Sequence, residues 1–216
     1  MHGVASLVQR RTRLCLRGTP RRIRALFPGE PMALNSTIYK VELQISDMDR
    51  HYYATHALTL ARHPSETEER LMTRLLAFTL YADDRLEFGK GISDEDEPAL
   101  WRKAYTGEIE QWIELGQPDE SRIRKACGRA RQVVIINYGG NGADIWWNKI
   151  GKTLERNRNL TVLDIPAATI AELVKLLQRG MRLQCLIQDG QLQILDDARA
   201  VSIDAIQRMA PAAAVS

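Results

Sequence analysis

The first strong pattern in the chain is alternation. From Thr37 to His63, in TIYKVELQISDMDRHYYATHALTLARH, apolar and polar residues change places at every second position on either side of Ser46-Asp-Met-Asp49. That period is the signature of two strands folded into a β-hairpin. The period then lengthens: Leu71, Leu75 and Phe78, with Met72 and Leu76, repeat at helical spacing after Ser65-Glu-Thr-Glu68, which has the Ser-x-x-Glu order of a capping box. A helix is predicted over 65–81. Three short runs follow, 85–89, 97–101 and 108–115, broken by the loop GKGISDED and the turn at Thr106-Gly107, and they read as an antiparallel meander. After Pro118, Ile123, Ala126, Cys127 and Ala130 stand at i, i+3, i+4 and i+7 of a helix over about 121–132. The rest alternates strand and helix: a buried strand over 133–138, a turn at GGNGAD, a short helix over 146–156, a strand at 161–163, and a helix over 169–179 closed by Gly180. A second hairpin, 181–188 with 191–195, turns on Asp189-Gly190. The fold class is α/β: one domain with a mixed, largely antiparallel central sheet flanked by helices, plus N-terminal and C-terminal β-hairpins.

Composition divides the chain in two. Its 216 residues carry a formal charge of +3, but residues 1–31 hold seven arginines and one acid, Glu30, which leaves 23 basic against 26 acidic residues in 32–216. The domain is therefore mildly acidic behind an Arg-rich leader. That leader reads as a nucleic-acid-binding arm, a transit-like peptide, or an extension from a start assigned too early, with Met32 opening the domain. Cys15, Cys127 and Cys185 lie far apart without CxxC spacing, which argues for reduced thiols, and Cys127 reads as a small core residue. The sequence holds no membrane span and no secretory signal, so the expectation is a cytoplasmic protein.

Candidate chemistry gathers around the strand 108–115. Alternation puts Ile109, Ile113 and Leu115 on one face and Glu108, Glu110, Trp112 and Glu114 on the other, with Glu114 at the strand's end. The acidic run Asp94-Glu-Asp-Glu97 precedes the neighbouring strand. A second carboxylate there, Glu97 or Asp96, set beside Glu114, would hold a hard divalent cation through oxygen ligands. Pro118-Asp119 follows the strand, where Asp119 or Ser121 caps the next helix. The turn in VVIINYGGNGADIWW has the order strand, glycines, helix, but its spacing matches neither a dinucleotide fingerprint nor a P-loop. The four tryptophans read as packing residues.

The strings LEFGKGISDEDEPALW, WIELGQPDESRIRKACGRA and VVIINYG, with the pair Trp146-Trp147, resemble the YaeQ family, and the resemblance covers nearly all of 32–216. The resemblance implies a divergent bacterial member of the PD-(D/E)XK nuclease-like superfamily, with a restriction-endonuclease-like core and an association with transcription elongation. Carried across, it implies a Mg²⁺- or Mn²⁺-dependent phosphodiesterase whose helix 65–81 supplies an accessory Glu68, whose second strand supplies Glu97 or Asp96, and whose third strand supplies Glu114. Where the motif expects a lysine two residues after the strand acid, this chain has Gly116, and Lys125 on the following helix is the substitute. Lys125 stands with Arg122 and Arg129 at i, i+3, i+7 on a strip that could face phosphates. The missing lysine keeps a second class of function open: a non-catalytic protein on the same scaffold that binds nucleic acid or the transcription machinery.

Overall fold

The computed structural model describes residues 36–90 and 96–211; the leader 1–31, with Asp94 and Glu95 of the acidic run, lies outside them. The opening alternation folds as expected. Strand β1 (Thr37–Asp47) pairs antiparallel with β2 (Tyr52–Arg62) in an unbroken register from Thr37↔Arg62 to Asp47↔Tyr52. Tyr39, Val41, Leu43 and Ile45 are buried, while Lys40, Glu42 and Gln44 between them are exposed. Strands β8 (Gly180–Gln188) and β9 (Gln191–Leu195) form the second hairpin, with positive φ at both Asp189 and Gly190, as a tight two-residue turn requires. Parallel pairing of β1 with β8 joins the hairpins, and β10 (Ala200–Ile203) extends them, giving a five-stranded sheet in the order β10-β9-β8-β1-β2.

A second sheet has six strands. The meander β3 (Leu86–Phe88), β4 (Leu100–Lys103) and β5 (Ile109–Leu115) is antiparallel; β6 (Ala130–Tyr138) and β7 (Leu160–Ile165) continue it in parallel, and β11 (Ile206–Met209) closes it antiparallel. The order is β11-β7-β6-β5-β4-β3. Helices α2 (Glu120–Arg129) and α3 (Asn141–Leu154) are the crossovers into β6 and β7. Beside the predicted central sheet, the two predicted hairpins join to form a second one, and β10 and β11 are additional to the predicted elements.

The helices divide by face. Helices α1 (Glu68–Leu80) and α4 (Ala167–Val174) lie in the larger core, where Leu71, Leu75, Ile170 and Leu173 meet the inner residues of both sheets, among them Leu43, Ile113, Leu115 and Ile136. Helices α2 and α3 cover the opposite face of the six-stranded sheet, where Ile123, Ala126, Trp146 and Leu154 pack on Trp112, Val133, Ile135 and Val162. Both faces of that sheet are therefore buried. Cys127, half-buried against this second core, has its thiol pushed up to about 11 by burial, in keeping with a packing role.

Two local readings change. The N-cap of α1 is Thr67, whose hydroxyl accepts from the Arg70 amide at 3.2 Å; Ser65 instead bonds His63 Nδ1 in the entry turn. Between them Glu66 is buried in an ion pair with Arg74 (3.2 Å), and the Arg74 guanidinium also donates to the Ala61 carbonyl. In β5, the register passes from Arg102↔Gln111 to Lys103↔Ile109, so Glu110 is the extra residue of a bulge. The bulge reverses the alternation below it, and Ile109 packs with the Trp112 cluster rather than sharing a face with Ile113 and Leu115.

Removing Glu66 strands a buried guanidinium. Glu66→Ala is expected to lower the unfolding free energy by about 3–5 kcal/mol, Thr67→Ala by about 1 kcal/mol, and exposed Glu68→Ala by less than about 0.5 kcal/mol. Urea denaturation of the three variants measures this; equal effects at Glu66 and Glu68 would refute the burial argument.

Candidate functional site

The end of β5 is set by two glycines. Gly116 adopts φ +83° and its amide donates to the Ile136 carbonyl at 2.9 Å, so the chain leaves the sheet through a left-handed residue. A lysine at that position would be strained, which is a backbone reason for its absence. At the start of β4, a Cβ on Gly89 would lie 2.1 Å from the Pro98 carbonyl oxygen, so only glycine lets β3 approach closely enough to seat Glu97-Pro98 beside β5. Asp119 then caps α2, its carboxylate accepting from the Arg122 amide at 2.8 Å, and burial of Ile123 and Ala126 sets the helix's phase.

That short return brings the first turn of α2 onto Glu114. The Glu114 side chain is only 5% exposed; its Oε1 accepts from Trp112 Nε1 (2.8 Å) and Arg122 Nε (2.9 Å) and lies 2.8 Å from Arg122 Nη2 in an ion pair. The same Nη2 donates to the Glu97 carbonyl at 2.8 Å, so one guanidinium ties the ends of β4 and β5 together. The cation on the strand acid is therefore Arg122 and not Lys125. The Lys125 ammonium pairs with exposed Asp96, and the Glu97 carboxylate pairs with the Lys90 side chain at 2.9 Å and its amide at 3.1 Å. Glu114, Glu97 and Asp96 are thus each engaged by a basic side chain or a main-chain donor, and Arg122 links Glu114 to the main chain of Glu97. Among the described residues no three His, Cys, Asp or Glu side chains converge as a metal site would require.

Glu68 does not join them. It sits at the start of α1, 48% exposed, with its nearest partner Arg62 at 3.4 Å, whereas Glu114 faces α2 on the other side of the sheet. The acids at the start of β5 are also engaged: Glu108, just before it, with Arg131, and Glu110 with Arg85 and Arg102, whose guanidinium groups hold its carboxyl below the usual range. Trp112 stacks edge-on to Trp101, and Trp146 donates to the Pro118 carbonyl, so these rings pack rather than present a platform.

Charge on the outer layer is uneven. Between 119 and 158, the span that carries α2 and α3, there are nine Lys and Arg against four Asp and Glu, although the domain as a whole is acidic. Arg124, Arg129, Lys149, Lys152 and Arg158 are exposed and make no ion pair among the described residues. Of the predicted strip, only Arg129 stands clear of an acid. The predicted strip is confined to α2; the additional cations on α3 and after it join the same layer because both crossovers run on one face.

A concavity of about 470 Å³ lies at the other face, where β6 and β7 end and their helices depart to opposite sides. Tyr138, Gly139, Ala167, Ile170 and Glu69 line it, and burial raises the Tyr138 hydroxyl's pKa against a lowering contribution from Arg70. Among the described residues no helix is long and apolar enough to cross a membrane.

A model of the YaeQ protein family matches residues 32–205. The chain is 48% identical to the YaeQ protein of Salmonella typhi over 78% of its own length and 92% of the relative's, and 43% identical to that of Escherichia coli K12 over 80% and 96%. Its fold is similar to the crystal structure of the YaeQ protein from Xanthomonas axonopodis pv. citri, with a TM-score of 0.79 at 56% identity over 82% of this chain and 99% of that one. The Pseudomonas syringae YaeQ structure gives 0.78 at 34% identity, covering 81% and 97%. The chain belongs to the YaeQ family.

Proposed function

We propose that this protein binds nucleic acid through the outer α2/α3 layer, on a nuclease-like scaffold and without a catalytic metal. The observation that carries the reading is the basic layer itself: five exposed cations without ion pairs among the described residues, on one face of an otherwise acidic domain. Unpaired cations keep their counter-charge for a ligand, and neutralising phosphates releases condensed counterions, which favours binding at low salt. The state of Glu114 supports binding over hydrolysis. A metal-dependent phosphodiesterase needs that carboxylate open to a cation, and here Trp112 and Arg122 occupy Oε1.

A metal-dependent phosphodiesterase is the second reading, favoured by one detail. Glu114 Oε2 accepts no hydrogen bond among the described residues, and Glu97 lies beside it through the shared Arg122. A divalent ion that displaced Arg122 would find a carboxylate there, with Asp96 and Glu97 on the neighbouring strand's approach. The order α1, β3, β4, β5, α2 agrees with the helix, strands and helix from which the superfamily resemblance draws its acids.

Binding of labelled mixed-sequence DNA and RNA in EDTA is expected, weakening linearly in log salt. Arg124→Ala, Arg129→Ala and Lys152→Ala should each flatten the salt slope by up to about 1. No binding at low salt, or slopes unmoved by all three, would refute the proposal. Thermal melts in excess Mn²⁺ are expected to match those in EDTA, because a cation held only by the folded state would raise the melting temperature. Mn²⁺-dependent cleavage that disappears in Glu114→Gln, a change that keeps an acceptor for Trp112 and Arg122, would establish the second reading instead.

A further inference from the structure

The register of the five-stranded sheet fixes where each strand's main chain points. The Lys40 amide donates to the Arg179 carbonyl and the Met48 amide to the Ile187 carbonyl, so the even-numbered residues of β1 bond toward β8. Odd-numbered residues of β1 bond toward β2, where the register sets them opposite even-numbered partners: Tyr39↔Leu60, Val41↔Leu58, Leu43↔His56, Ile45↔Ala54. In β2, then, Tyr53, Thr55, Ala57, Thr59 and Ala61 aim their N–H and C=O groups out of the sheet. The Ala61 carbonyl is taken by Arg74 Nη2 at 3.0 Å; the main-chain groups of the other four have no partner among the described residues.

This edge lacks the devices that keep edges apart. β2 is eleven residues long, pairs with β1 without a bulge, and from Tyr52 to Ala61 holds no proline, lysine, arginine or acid. Its outward residues all have exposed side chains, with Tyr53 63% exposed. The other edges of the two sheets are strands of three or four residues, β3, β10 and β11. Half-buried Tyr52, Leu58 and Phe88 pack on the main core beside it.

We infer that β2 is a self-association edge, at which a second copy of this chain adds its own β2 antiparallel about a two-fold axis at His56. That axis sets Tyr53 against Thr59 of the second copy and Thr55 against Ala57, so all four open residues on each strand are satisfied by about eight main-chain hydrogen bonds. Every opposed side chain on the outer face is neutral. At the axis His56 meets His56 of the second copy; burial lowers its pKa, against the opposing effect of Asp84, so the meeting brings no like charges together at neutral pH. A neutral strand offers nothing to a charged partner and is complementary to itself, which selects the second copy as occupant.

The test is the solution mass of the full chain by light scattering after size exclusion. Wild type is expected at twice 24.5 kDa at micromolar concentration. Ala57→Pro removes only an outward amide, which edge strands tolerate, and Thr55→Lys adds an edge lysine. Each should elute at 24.5 kDa with the far-ultraviolet dichroism of wild type. A wild-type monomer at the highest soluble concentration, or a dimer that both variants retain, overturns the inference.

Discussion

A carboxylate buried between β5 and α2 has to be compensated from within the protein, and much of the outer half of the molecule is arranged around that requirement. Glu114 loses most of its water to the Trp112 cluster, and transfer of an unpaired charge into such surroundings is too costly to sustain. Arg122 removes the cost. To do so it must come from the first turn of α2, which fixes the length of the 116–119 loop, the left-handed Gly116 and the cap at Asp119. By also holding the Glu97 carbonyl it fixes the entry to β4. The three-strand meander and the crossover helix are registered to each other by one guanidinium.

Much of this was legible in the sequence where period alone decides the outcome. Both hairpins, the stripe of α1 and the strand of Glu114 follow from alternation and helical spacing, because each buries one face. Period fails where both faces are buried. Alternation gives the residues of β5 an apolar and a polar side, yet Trp112 and Glu114 lie under α2 and α3 while Ile113 and Leu115 lie under α1. The Glu110 bulge moved Ile109 between faces, which a strict two-residue period cannot anticipate. Strands β10 and β11, four residues each, are too short to show any period.

The candidate site shows the same division. Strand order places Glu97 just before the strand that neighbours Glu114, but the partner of each acid is not readable from it. A signal for Arg122 was present: with the helix capped at Asp119, residue 122 is in its first turn and lies nearest the strand's end, closer than Lys125 one turn on. Glu68 completes a Ser-x-x-Glu pattern in the sequence; the cap's shift to Thr67 leaves Glu68 exposed and Glu66 buried, a difference of two residues that no propensity resolves.

The parallel pairing of β1 with β8 has a consequence for how the chain is made. Lys40 lies opposite Gly180, and Asp47 opposite Ile187. During synthesis at about 5–20 residues per second, the first hairpin leaves the ribosome on the order of ten seconds before its permanent neighbour exists. Through that interval both edges of a two-stranded ribbon are open, and its apolar face has no α1 or α4 above it until those helices emerge in turn. A lone hairpin is marginal in water. The nascent protein is therefore committed to late, long-range closure, and the time until β8 arrives is the period in which a ribosome-associated chaperone would have most to protect.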